Sequence, residues 1–290
     1  MKPLDVFFAL LVATIWGVNF SVIKFGLMEW PPVLFSALRF AVVAIPAVLI
    51  VPFPKTAVRN VLAVGVFLGV IKFSLLFIAM KVGASAGLAS LLLQAQVMFT
   101  ILLSYIWFKE KITVYQLLGI FIACGGFALF FSNSSENLTL LSMLLLLLAG
   151  LSWAVSNLFM KRAGGVNVLH FMVWVSLVPP LPLLLFSYLF ESKQPIALLL
   201  NAQWTTWLAL AYVGFISTLL AFALWGRLLT KYSAATVTPF ALLVPVVGML
   251  TASLAFNEHL TIIEWMGTCL VLLGLISCVF GASLRTWLAR

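Results

Sequence analysis

The stretch Phe108-Lys109-Glu110, followed by Thr113, Gly119 and Gly126, returns 148 positions later as Phe256-Asn257-Glu258, followed by Thr261, Gly267 and Gly274. Both copies lie between long apolar runs, in a chain of 290 residues that is 64% hydrophobic and only 8% charged. A soluble domain is about half apolar and about a quarter charged. With a mean hydropathy of +1.23, most of this chain must have lipid as its solvent. Backbone groups in a bilayer must satisfy one another, so each apolar run of roughly 20 residues reads as a spanning helix. The fold class expected is all-α, a polytopic membrane protein whose sequence is duplicated.

Polar breaks punctuate the runs at Pro31-Pro32, at Pro52-Phe53-Pro54-Lys55, at Lys109-Glu110-Lys111 and at Ser132-Asn133-Ser134-Ser135-Glu136-Asn137. They predict ten helices, at 4–26, 32–52, 59–81, 84–107, 112–132, 138–160, 167–190, 204–229, 233–256 and 261–284. Five fall in each half, with a first repeat at 1–133 and a second at 138–285. The charged start, Met1 to Asp5, is followed by no small-residue cleavage site, so the first run reads as a retained helix.

If the N-terminus is cytoplasmic, eleven of the sixteen basic residues fall on the inner side, Lys55, Arg59, Lys161, Arg162, Arg285 and Arg290 among them. The positive-inside rule therefore puts both termini in the cytoplasm. The net charge of +9 is scattered singly and in pairs, a pattern of topology signals that does not suggest nucleic acid. Cys124, Cys269 and Cys278 lie in apolar runs without metal-ligand spacing, so neither a metal, a cofactor nor a disulfide framework is expected. An odd number of spans per repeat makes the second half enter the membrane from the opposite side. Inverted halves of this kind can expose a midplane site alternately to either face, which points to transport of a small molecule.

Trp16-Gly17 with Asn19 and Lys24, Arg39-Phe40, and the glutamate-then-glycine corner after the fourth helix resemble the EamA-type drug/metabolite transporters. Trp153 with Lys161, then Pro239, the run Leu242 to Gly248 and Glu258 carry the resemblance through the second half. Gln94-Ala95-Gln96 after three leucines is similar to the subgroup that exports O-acetylserine and cysteine. The resemblance implies a bacterial inner-membrane exporter of small polar metabolites. Transport of a purine, sugar or aromatic compound, and a non-transporting scaffold, are the alternatives. A membrane-embedded enzyme is disfavoured, for the chain has no His-Glu-x-x-His and no intramembrane aspartate pair.

Polar side chains at bilayer depth are costly, so each is a candidate. Lys72 has no acidic neighbour in sequence, and could meet a substrate carboxylate or simply reach water. Gln94 and Gln96 diverge by about 200° on a helix, so at most one can face a given cavity, the other bonding a neighbouring helix. Asn19 and Asn157 lie near Trp16 and Trp153, which either wall the cavity or anchor at an interface. Arg39, one turn into the second helix, is expected to snorkel, cap carbonyls or close an outer gate. Glu110 and Glu258 read as structural corners, Pro239 and Pro245 as points where the ninth helix weakens, and Gly65, Gly69, Gly119, Gly125 and Gly126 as sites of close helix approach. His170 and His259 are the only histidines, and no intramembrane acid accompanies them to form a proton relay.

Overall fold

The computed structural model describes residues 1–132 and 138–288, without the side chains of 234–235 and 281–288. Most of the expected boundary run and the topology marker Arg290 therefore lie outside the described residues, as does the side chain of Arg285. Ten helices organise the rest: α1 (Pro3–Glu29), α2 (Pro32–Ala47), α3 (Val58–Lys81), α4 (Ala86–Phe108), α5 (Val114–Ser132), α6 (Leu140–Ala163), α7 (Val168–Phe190), α8 (Trp204–Lys231), α9 (Thr238–Phe256) and α10 (Ile262–Leu288). Among the described residues all but α2 are long and apolar enough to cross a membrane alone. A short helix, Pro195–Leu200, lies between α7 and α8.

The sequence places the helix ends legibly. Pro3 and Pro32 occupy first turns, where a missing N–H is harmless. Ser85, Thr139 and Asn167 cap α4, α6 and α7 with their side chains. α4 and α9 both stop on a left-handed residue, Lys109 at φ 58° and Asn257 at φ 51°. The repeated corner is thus one backbone geometry used twice. The expected second helix at 32–52 is too long. Pro46 withholds a hydrogen from the last turn, and Val48 to Val51 turn back onto the carbonyls of Ala44 and Ala47.

Third and fourth helices are interrupted in matching places. α3 widens to a π-helix over Gly65–Lys72, and α8 does so over Tyr212–Leu220. α4 loosens at Leu93-Gln94, and α9 opens with a 3-10 turn over Thr238–Leu242 that contains Pro239. Such interruptions free backbone groups that neighbouring helices must satisfy. Trp16 of α1 donates its indole N–H to the Ser217 carbonyl in the α8 π segment at 3.1 Å. Ser152 of α6 donates to the Phe67 carbonyl in the α3 π segment at 2.7 Å.

Those bonds follow a crossed arrangement. α1 packs against α8 and α9, whereas α6 packs against α3 and α4. α5 and α10 pack antiparallel on each other through glycine. A Cβ on Gly119 would stand 2.5 Å from the Gly274 carbonyl oxygen, and one on Gly126 would stand 2.8 Å from that of Gly267. Gly125 faces open space, so it is not a packing glycine. Phe35, Phe40, Phe77, Leu91 and Leu92 fill the interior, while Phe121, Leu181 and Leu254 are exposed on the outer surface. An apolar exterior around helices that satisfy their own backbones is a lipid-facing surface.

Candidate functional site

Each of the six described acidic residues lies at a helix end, with a partner there. Glu29 accepts from Thr206 and the Gln203 N–H, and Glu191 from the N–H groups of Val33 and Leu34. Glu264 accepts from the Thr261 N–H at the start of α10. Asp5 takes Lys231 and the Tyr232 hydroxyl, tying the start of α1 to the end of α8. The remaining two are the repeated corners.

Glu258, after α9, receives Lys24 of α1 at 2.8 Å and the backbone N–H groups of Ala86 and Gly87 at 3.0 and 3.1 Å. It thereby caps the positive end of α4. The Lys24 ammonium also lies 4.5 Å from the Phe256 ring centroid. At the opposite face Lys161 of α6 pairs with Glu110 and lies 5.0 Å from the Phe108 ring centroid. The Phe-x-Glu triplet is therefore a lysine clamp in both copies, and each clamp grips a lysine from the other half of the chain. The two differ in burial: the Glu258 side chain is 8% exposed and the Glu110 side chain 49%.

That difference extends inward. Every residue of the first segment of α4, Ala86–Leu92, is buried, and it packs on the C-terminal part of α9. Ser90 touches the Pro245 carbonyl, and a Cβ on Gly248 would meet the Ser90 side chain at 2.4 Å. In the corresponding stretch, 234–240, Val237 is buried, whereas Thr236 and Thr238 are exposed and Pro239 and Phe240 half-buried. The helices are closed together at the Glu258 face and looser at the Glu110 face.

Between the faces lie the remaining polar side chains. Asn157 of α6 donates to the Gln96 amide oxygen at 2.8 Å and to Thr100 at 3.1 Å, linking α6 to α4. Gln96 is thus the glutamine that bonds a neighbouring helix. Gln94 is buried at the loosened turn of α4. Asn19 holds a buried amide oxygen with no hydrogen-bond donor. Trp16 packs between Phe222 and Trp225 at mid-helix, away from any interface. Trp153 lies beneath Lys72, whose ammonium stands 4.7 Å from its ring centroid and 3.4 Å from that of Phe73.

Arg39 departs from the sequence expectation. It is 3% exposed, so it does not snorkel to an interface. α2 lies against α3, α7 and α8, and the guanidinium meets Thr218 of the α8 π segment at 3.3 Å and Phe73 at 4.0 Å from the ring centroid. A cleft of about 460 Å³ opens at the Glu258 face beside Glu29, Trp30 and Asn201, and none of the expected site residues lines it. The crossed lysine clamps were not anticipated. Their signal was available: Lys24 and Lys161 repeat, as Glu110 and Glu258 do.

The model of the EamA-like transporter family matches residues 4–132 and 140–280. A relative in Salmonella typhimurium strain LT2, named probable amino-acid metabolite efflux pump, is 40% identical, with 98% of each chain covered. One of the same name in Escherichia coli strain K12 is 38% identical over the same shares. An uncharacterized transporter of Bacillus subtilis strain 168, YoaV, is 28% identical over 94% of this chain and 96% of its own. A solved crystal structure covers 98% of this chain and 100% of its own at a TM-score of 0.62 and 17% identity, a likeness of fold alone. With its membrane-crossing helices and these relatives, the protein is a multi-pass membrane transporter, not an enzyme, and it belongs to the EamA-like transporter family.

Proposed function

We propose that the protein exports small amino-acid metabolites from the cytoplasm, cysteine and O-acetylserine being the first candidates, by alternating access. Residues 1–133 and 138–285 act as two inverted halves in the inner membrane, with both termini cytoplasmic. The observation that carries this reading is the pair of lysine clamps, alike in composition and unequal in burial. One mobile unit comprises α1, α8 and α9, the other α6, α3 and α4. In the state described, Glu258 locks them together at the periplasmic face. In the opposite state Glu110 does so at the cytoplasmic face, and Pro239, Pro245 and the loosened turn at Gln94 let α9 and α4 bend.

The substrate sits between the units. Lys72 meets its carboxylate, Gln94 and Asn19 offer amide groups, and Trp16 and Trp153 wall the space. Asn157 and Gln96 hold α6 to α4 as the units move. The names of the two efflux-pump relatives support the substrate class.

Efflux of labelled cysteine and O-acetylserine from proteoliposomes tests this. Saturable efflux by the wild type that falls in Lys72→Ala and Gln94→Ala supports the reading. Folded, inserted protein with no flux above empty liposomes would remove the two substrates from consideration.

A further inference from the structure

Arg39 and Lys72 are two buried cations that share one aromatic ring. Arg39 is 3% exposed and Lys72 4%. The guanidinium carbon lies 4.0 Å and the ammonium nitrogen 3.4 Å from the Phe73 ring centroid, which keeps the two within about 7.4 Å of each other. At that range, away from water, like charges repel.

Among the described residues no carboxylate answers them. All six described carboxylates are engaged at helix ends, as detailed above. Thr218 satisfies one nitrogen of Arg39, while Nε and Nη1 are buried and have no acceptor. Buried polar groups of this kind oppose folding unless something pairs with them. Phe73 and Trp153 attract a cation but accept no conventional hydrogen bond from it. The depth is also suitable. Arg39 lies seven residues into α2 and Lys72 nine residues before the end of α3, about 10–14 Å below the Glu258 face at 1.5 Å per residue.

We infer that Arg39 and Lys72, set about Phe73, form one seat for the carboxylate of the transported molecule. The pair, not Lys72 alone, selects a small anionic or zwitterionic substrate. Thr218 fixes the guanidinium from the α8 π segment, and Trp153 supports the ammonium from α6. The seat thus joins helices of both proposed mobile units, α8 in one and α3 with α6 in the other. A bound carboxylate neutralises the charge that otherwise pushes these elements apart. The inference rests on the reading of the chain as a carrier of amino-acid metabolites.

The test is thermal unfolding of the full-length protein in nanodiscs, with L-cysteine, O-acetyl-L-serine, their methyl esters, and acetate and propionate as probes. In the absence of probe, Arg39→Met and Lys72→Met raise the unfolding midpoint, because each removes an unpaired buried charge. Stabilisation of the wild type by the two free amino acids and not by their esters is expected. Either substitution weakens that binding roughly ten- to hundredfold, the loss of a hydrogen bond to a charged group. Arg39→Lys and Lys72→Arg, which keep the charge, retain part of it.

Binding that is unchanged in both Met variants, equal binding of esters and free acids, or no stabilisation by any of the acids overturns the seat. Stabilisation by acetate or propionate that requires both cations, without any by cysteine or O-acetylserine, upholds the seat and removes the proposed substrate pair.

Discussion

The corner at Glu258 and the corner at Glu110 are built from the same parts and do different things in this state. Each ends a helix on a left-handed residue and presents a phenylalanine and a carboxylate to a lysine from across the chain. At Glu258 the carboxylate is buried and also caps α4, beside a segment in which every residue is buried. At Glu110 carboxylate and lysine are each about half exposed, and in the matching stretch at 234–240 Val237 alone of the described side chains is buried. Local sequence makes the clamp, and the packing around it decides whether the clamp seals. Two identical seals closed at once would hold a carrier shut, so unequal burial is what alternating access requires.

The largest effect is expected from removing the sealed carboxylate. Glu258→Ala strands Lys24 and two backbone N–H groups, at the low end of the roughly 3–5 kcal/mol for a broken buried pair, because Lys24 keeps 30% exposure and can rehydrate. In a background without native cysteines, a thiol at Ser90 should then become reactive to a membrane-impermeant reagent from the Glu258 face. Continued protection would break the comparison. Exchanging the charges, Lys24→Glu with Glu258→Lys, sharpens it. The double variant should restore less than half of the protection that either single change removes, since a lysine cannot cap the positive end of α4.

Glu110→Ala should cost less than about 1 kcal/mol of stability, as exposed pairs contribute little. Its consequence is for the cycle: with the opposite seal gone, the Glu258-closed state is favoured, and turnover in proteoliposomes falls while the unfolding midpoint barely moves. The comparison itself is least affected by Asn157→Ala, although losing the bonds to Gln96 and Thr100 costs roughly 0.6–1.7 kcal/mol. It should lower the midpoint without changing which face a Ser90 thiol reports as closed.

Much of this was legible in the sequence, for particular reasons. Ten apolar runs between polar breaks become ten helices because lipid leaves a backbone few other choices. The corners were visible because a helix terminator and an acidic residue recur together. Glu258 read as a structural corner, but its lysine and its α4 cap come from residues more than 170 positions away and leave no local pattern. The crossing of α1 and α6 is similarly a property of packing. Arg39 misled for a different reason. Counting turns from a helix start measures depth in lipid, whereas α2 is short and enclosed by α3, α7 and α8, so its first turns face protein.

Ser90 and Thr238 occupy the same place in the two copies, 148 positions apart, and Ser90 is buried where Thr238 is exposed. Single thiols at these positions, labelled in cysteine-free protein with and without substrate turnover, test the central claim most directly. The account predicts protection at Ser90→Cys and reactivity at Thr238→Cys at rest. During turnover it predicts opposite changes, Ser90→Cys gaining reactivity as Thr238→Cys loses it. Changes in the same direction at both positions, or at one alone, would contradict alternation between the two clamps.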